Sequence, residues 1–215
     1  MSCCGNNCAS GIDKFFSKEA ARFLKRYKKK GLEKSQKNLF QGIQQTGISN
    51  QTILEIGCGV GYFHSQLIKA GAKKATGIDI SKEMIGHAKN YMKEIGLDKR
   101  TDYHVGDFVE ISEDIGSADI TVLDKVICCY PDAEDLVEKS ISRTKHVYAF
   151  TLPRDRWWIK YPIKLVVAVL KIFRSSFHPY FHEHSSIHSR LESGNFKMDY
   201  QNHVFFWETY VFIKN

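Results

Sequence analysis

The chain has 215 residues, enough for one mid-sized domain with a buried core. Hydrophobic residues make up 43% and charged residues 26%, which excludes collagenous, disordered and multi-span membrane classes. The net charge of +7 is local: residues 11–40 hold 10 basic and 3 acidic side chains, whereas residues 41–215 hold 21 of each, so a basic arm precedes a neutral body.

Residues 1–10 carry Cys3, Cys4 and Cys8 beside Gly5, Asn6 and Asn7. They lack the paired Cys-x2-Cys spacing of zinc sites and read as a flexible, reduced tail. With Cys58 and the adjacent pair Cys128–Cys129, the six cysteines form no disulfide framework, and no signal-peptide pattern opens the chain. The expected compartment is the cytoplasm. Residues 11–45 read as a helical arm: Phe15, Phe16, Ala20, Phe23, Leu24, Tyr27 and Leu32 mark one face, lysines and arginines the other, and Gly31 breaks it in two.

From Thr52 the pattern becomes short apolar runs alternating with amphipathic stretches, which predicts repeated βαβ units in residues 46–215. The expected strands are 52–56, 75–80, 102–105, 120–123 and 146–152, with helices starting near Val60, Ser81, Phe108 and Pro131. Two final strands, 196–203 and 204–214, have no helix between them and must pair antiparallel. The fold class is therefore α/β: a Rossmann-like, seven-stranded, mostly parallel sheet with an antiparallel C-terminal hairpin and an N-terminal helical lid.

The strongest chemical signal is Glu55-Ile56-Gly57-Cys58-Gly59-Val60-Gly61, between an expected strand and an expected helix. Glycines there let backbone approach a ligand, and the helix start favours negative charge. Asp79, followed by Ile80, closes the next strand 20 residues after Gly59, a place from which a carboxylate binds ribose hydroxyls. The dinucleotide fingerprint would put its third glycine at Tyr62 rather than Gly61, which argues for a nucleoside other than a pyrophosphate ligand.

These residues resemble the first motif of the class I S-adenosylmethionine-dependent methyltransferases, and the likeness runs in order through residues 52–152. It implies S-adenosylmethionine as cofactor, Asp79 on its ribose, Asp107 and Phe108 at its adenine, and Asp124 beside its methionine portion. A looser likeness, in Asp124-Lys125-Val126-Ile127-Cys128-Cys129-Tyr130-Pro131, Leu152-Pro153-Arg154, His184-Ser185 and the Phe15/Phe16…Arg26-Tyr27 arm, is to the magnesium-protoporphyrin O-methyltransferase branch. Those enzymes carry His before Tyr-Pro, where this chain has Cys129.

The implied reaction is an in-line methyl displacement, helped by alignment and exclusion of water. Candidate catalytic residues are Tyr27 from the arm and Cys129, Tyr130 and His184 from strand-end loops. The expected function is O-methylation of an anionic, partly apolar small molecule, a porphyrin-like carboxylate being one candidate. Two alternatives stand beside it: a thiol or metalloid methyltransferase using the cysteines, and a non-catalytic protein that binds nucleic acid or a membrane surface. Residues 157–174 form an apolar stretch with a lysine and arginine stripe, too short to span a bilayer; they read as a core helix, a lid or a peripheral membrane contact. The cluster of His178, His182, His184 and His188 lacks a carboxylate-rich partner motif, so no metal is expected. Without an appended binding domain, nucleic acid is disfavoured as a partner, and the oligomeric state stays open.

Overall fold

The computed structural model of the chain describes residues 6–159 and 179–215 and, within the first helix, the side chains of Asp13, Ser17 and 19–30. Cys3, Cys4, His178 and the stretch 160–174 lie outside the described residues, as do the side chains of Cys8, Phe15 and Phe16.

Seven strands form one sheet in the order β3-β2-β1-β4-β5-β7-β6. They are β1 (Thr52–Ile56), β2 (Lys74–Asp79), β3 (Thr101–Val105), β4 (Ala118–Asp124), β5 (Thr144–Pro153), β6 (Phe196–His203) and β7 (Trp207–Lys214). The first five pair in parallel, while β7 runs antiparallel to both β5 and β6. The expected α/β fold class is what forms, and the expected strands shift by only a few residues at their ends. The largest change is at β7, which starts at Trp207 because Val204–Trp207 closes the hairpin, Val204 N–H donating to the Trp207 carbonyl at 2.8 Å.

The helices are α1 (Asn6–Lys30), α2 (Lys34–Gln45), α3 (Tyr62–Lys69), α4 (Lys82–Glu94), α5 (Phe108–Ile111), α6 (Ala133–Ser142) and α7 (His184–Ser193). Gly31, at φ 70°, takes the left-handed conformation that separates α1 from α2. Helix α1 begins at Asn6, inside the segment read as a tail. Ser81 caps α4 as its position suggested, its hydroxyl accepting from Met84 N–H.

Strand β5 shows why the sheet is central: Tyr148, Phe150 and Leu152 face one side and Val147 and Ala149 the other, all of them buried. The first set packs under α6 and α7 with Leu136, Val137, Ile187 and Leu191. The second packs under α2 and α3 with Leu39, Ile43, Phe63 and Leu67. Helix α1 lies alongside α4 in the same direction: the hydroxyls of Ser17 and Ser81 are 2.8 Å apart near one end, and Lys28 meets Glu94 at 2.5 Å near the other.

Strand order reverses between β1 and β4. At such a switch point the two connections leave to opposite faces and open a crevice at the carboxyl ends of the strands.

Candidate active site

That crevice is a cleft of about 620 Å³, a size that holds a cofactor-sized ligand. Its floor is the turn after β1. Gly57, Gly59 and Gly61 have φ values of 66°, 53° and 75°, which L side chains rarely adopt. A Cβ at Gly57 would come within 2.4 Å of Val126 Cγ2, so this turn must be bare for the loop after β4 to close on it. At Gly59 the nearest atom to such a Cβ is Met84 Sδ at 4.0 Å, which leaves its backbone open toward the cleft.

Beneath the turn, Glu55 is buried with its Oε2 2.6 Å from His64 Nδ1, while His64 Nε2 lies 2.8 Å from the Tyr103 hydroxyl. Burial raises the Glu55 carboxyl and pushes the Tyr103 phenol far up. This chain joins β1, α3 and β3 under the loop, so Glu55 supports the turn from below and also lines the cleft. Cys58 is buried too, and its thiol is held well above the ordinary range by desolvation and then by Asp79 and Glu55.

Asp79, at the end of β2, accepts from Gly59 N–H at 2.8 Å and Ser81 N–H at 2.9 Å. Burial lifts its carboxyl to about 6 despite those two donors. Asp107 caps α5, accepting from Val109 N–H at 3.0 Å, and its two oxygens lie 3.1 and 3.0 Å from the Tyr130 hydroxyl. Asp124, at the end of β4, accepts from Gln36 Nε2 at 2.8 Å, while its buried Oδ1 has no hydrogen-bond partner among the described residues. All three acids line the cleft, with Ile80 and Phe108.

The arm forms the roof. Tyr27 stacks on Tyr62 with ring centroids 4.9 Å apart, and its hydroxyl accepts from Gln36 Nε2 at 3.0 Å. Burial, then the nearby Asp124 charge, raises the Tyr27 phenol. Glu33 bridges two cations, Arg26 at 2.6 Å and Lys125 at 2.5 Å. Lys125 Nζ also lies 5.3 Å from the centroid of the Trp207 ring. Burial lowers the Lys125 ammonium, but Asp124 and Glu33 outweigh it and hold the group above its usual range.

The candidate catalytic residues do not stay together. Tyr27, Cys129 and Tyr130 line the cleft. His184 does not: its Nε2 donates to the Pro153 carbonyl at 2.9 Å and its Nδ1 is 2.9 Å from the Tyr210 hydroxyl. This ring, at the start of α7, is buried against β5 and β7 and does not line the cleft, which corrects its placement beside the acceptor. His188, one turn on, packs its ring against Tyr210 and Phe212, and among the described residues no group of three metal-ligating side chains converges. Gln36, Glu33 and Trp207 line the cleft without having been singled out from sequence. The three-residue spacing of Glu33 and Gln36, across which Glu33 N–H donates to Gln36 Oε1 at 3.1 Å, was the available signal.

Fold and site together resemble those of the class I S-adenosylmethionine-dependent methyltransferases. Residues 53–146 match the family model described as a methyltransferase domain. Over 95 residues the chain is 30% identical to the ubiquinone biosynthesis O-methyltransferase of Aromatoleum aromaticum, a match covering 44% of this chain and 39% of that relative. The chain thus spans about two fifths of the length of the curated relative it matches. In overall shape it is similar to the magnesium protoporphyrin IX methyltransferase of Synechocystis PCC 6803 with bound S-adenosylhomocysteine: TM-score 0.69, 17% identity, 95% of this chain and 98% of that one. It is also similar to a geranyl diphosphate methyltransferase complexed with GPP and sinefungin, at TM-score 0.67 and 11% identity over 84% of this chain and 76% of that one. No helix among the described residues is long and apolar enough to cross a membrane.

Proposed function

We propose that the chain binds S-adenosylmethionine in this cleft and transfers its methyl group to an oxygen of an anionic, partly apolar small molecule. The observation that carries the reading is the convergence of Asp79, Asp107 and Asp124, from three strand ends, on one cleft floored by the glycine turn. The residues present fit the cofactor. Gly59 leaves space where a side chain would intrude, Asp79 offers a carboxylate for paired hydroxyls, and the unpartnered Asp124 Oδ1 offers a buried acceptor for an ammonium group. When bound, the cofactor supplies an electrophilic methyl on a sulfonium.

The remaining work is positioning. Tyr27 and Tyr62 close the roof and limit water, and the wall formed by Tyr130, Tyr180, Phe206 and Trp207 offers aromatic faces to an apolar acceptor. A carboxylate acceptor arrives ionised and needs no strong base, which suits a cleft whose Tyr27 phenol burial holds protonated. The alternative based on thiols finds less support: Cys128 is buried, and its hydrogen bond with Cys129 followed by desolvation holds the thiol well above its ordinary range.

Calorimetric titration with S-adenosylhomocysteine tests the reading. Binding in the micromolar range is expected, lost in Asp79→Ala; equal affinity in the variant would refute the assignment.

A further inference from the structure

The group that would recognise the acceptor is Lys125, directly after the acid that ends β4. Lys125 has φ 62°, a conformation costing roughly 1–2 kcal/mol for a residue with a side chain. Such strain persists where the surrounding structure demands it, and it is concentrated at functional sites. Here it brings a long cationic side chain, four-fifths covered, into the cleft against the Trp207 ring. Arg26 reaches the same region from α1, its guanidinium carbon 4.9 Å from the Tyr27 ring centroid, and its buried Nε has no hydrogen-bond partner among the described residues.

Between these two cations sits one carboxylate, that of Glu33. Lys125 and Arg26 thus share a single carboxylate as ion-pair partner. An anionic group of an acceptor that takes the place of Glu33 on one of them would meet a cation at a spot bordered by Trp207 and Phe206.

We propose that Lys125, with Arg26 beside it, is a specificity residue that anchors a carboxylate or other singly anionic group of an aromatic acceptor, with Trp207 packing on the acceptor's apolar part. This rests on the methyltransferase reading of the cleft. Lys125 contributes binding and orientation and takes no part in breaking or forming the methyl bonds.

The full chain saturated with S-adenosylhomocysteine is titrated with two probes of one shape, 2-naphthoate and 2-naphthamide. Wild type is expected to prefer the anion by about tenfold, the scale of one charge-assisted contact. Lys125→Met should bind the two probes within about twofold of each other, and Lys125→Arg should restore the preference. Equal binding of the probes by wild type, or an unchanged preference in Lys125→Met, overturns the proposal. So does loss of S-adenosylhomocysteine binding in Lys125→Met, since the lysine would then be a strut of the roof. Failure of wild type to bind S-adenosylhomocysteine at all is a separate result, directed at the proposed function.

Discussion

Gln36 Nε2 on α2 donates to Asp124 Oδ2 at the end of β4 across 2.8 Å, and the same nitrogen lies 3.0 Å from the Tyr27 hydroxyl. One amide therefore ties the helical arm to the cleft floor. Asp124 has no other hydrogen-bond donor among the described residues, so Gln36→Ala leaves its carboxylate without one. The expected loss is about 1–3 kcal/mol of unfolding free energy without ligand. S-adenosylhomocysteine should recover part of it, because its ammonium group would supply a new partner for Asp124. Urea denaturation with and without ligand measures both, and an unchanged midpoint in the ligand-free variant refutes the tie.

Asp79 ties binding to pH. A carboxyl lifted to about 6 by burial holds its proton more tightly in the folded chain than in the unfolded one. Stability therefore gains as pH falls from about 6 toward 4 and loses as pH rises through that window, with buried Glu55 acting in the same direction. Ligand binding should run the other way, because the ionised carboxylate is the better acceptor for two hydroxyls. Calorimetry between pH 5 and 8 should show affinity for S-adenosylhomocysteine falling below about pH 6, with proton release on binding near that pH. A flat profile would remove Asp79 from that role.

The glycines separate stability from binding. Gly57→Ala forces a methyl to within 2.4 Å of Val126 Cγ2 and should cost several kcal/mol, with partial relief in the double variant with Val126→Ala. Gly59→Ala meets nothing nearer than 4.0 Å and pays only the left-handed backbone cost, about 1–2 kcal/mol, yet it fills space facing the ligand. Melting temperatures should rank Gly57→Ala below Gly59→Ala. Loss of affinity beyond that explained by unfolding should appear only for Gly59→Ala.

His184 joins β5 to β7 through its two ring nitrogens. His184→Ala leaves the Tyr210 hydroxyl and Pro153 carbonyl short of a partner, an expected loss of about 1–3 kcal/mol. Affinity for S-adenosylhomocysteine in the folded variant should match wild type. A selective loss of affinity at unchanged stability would return this histidine to the cleft.

The cofactor side of the cleft was legible because its information is local. A glycine turn directly after an apolar run, and an acid at the end of the next such run, have one arrangement in a βαβ unit. The acceptor side was not local. Gln36 meets Asp124 across 88 positions, and no spacing rule relates them. The left-handed backbone of Lys125 is equally invisible, since lysine carries no preference for it. His184 failed for a simpler reason: sequence placed it on a loop near the strand ends, but not on which side of β5 its ring would turn.

The glycine turn and the three acids all come from the stretch between β1 and α5 or from the end of β4, whereas Tyr27 comes from the arm, Lys125 and Tyr130 from the loop after β4, and Tyr180, Phe206 and Trp207 from the chain after β5. In the proposed reading, cofactor and acceptor recognition are thus written in largely separate lengths of chain that meet in the loop after β4, at Asp124 and Lys125, and through side chains such as Gln36. On that reading, exchange of the outer segments would change the substrate with the reagent held constant, and the sheet between them would be the constant part.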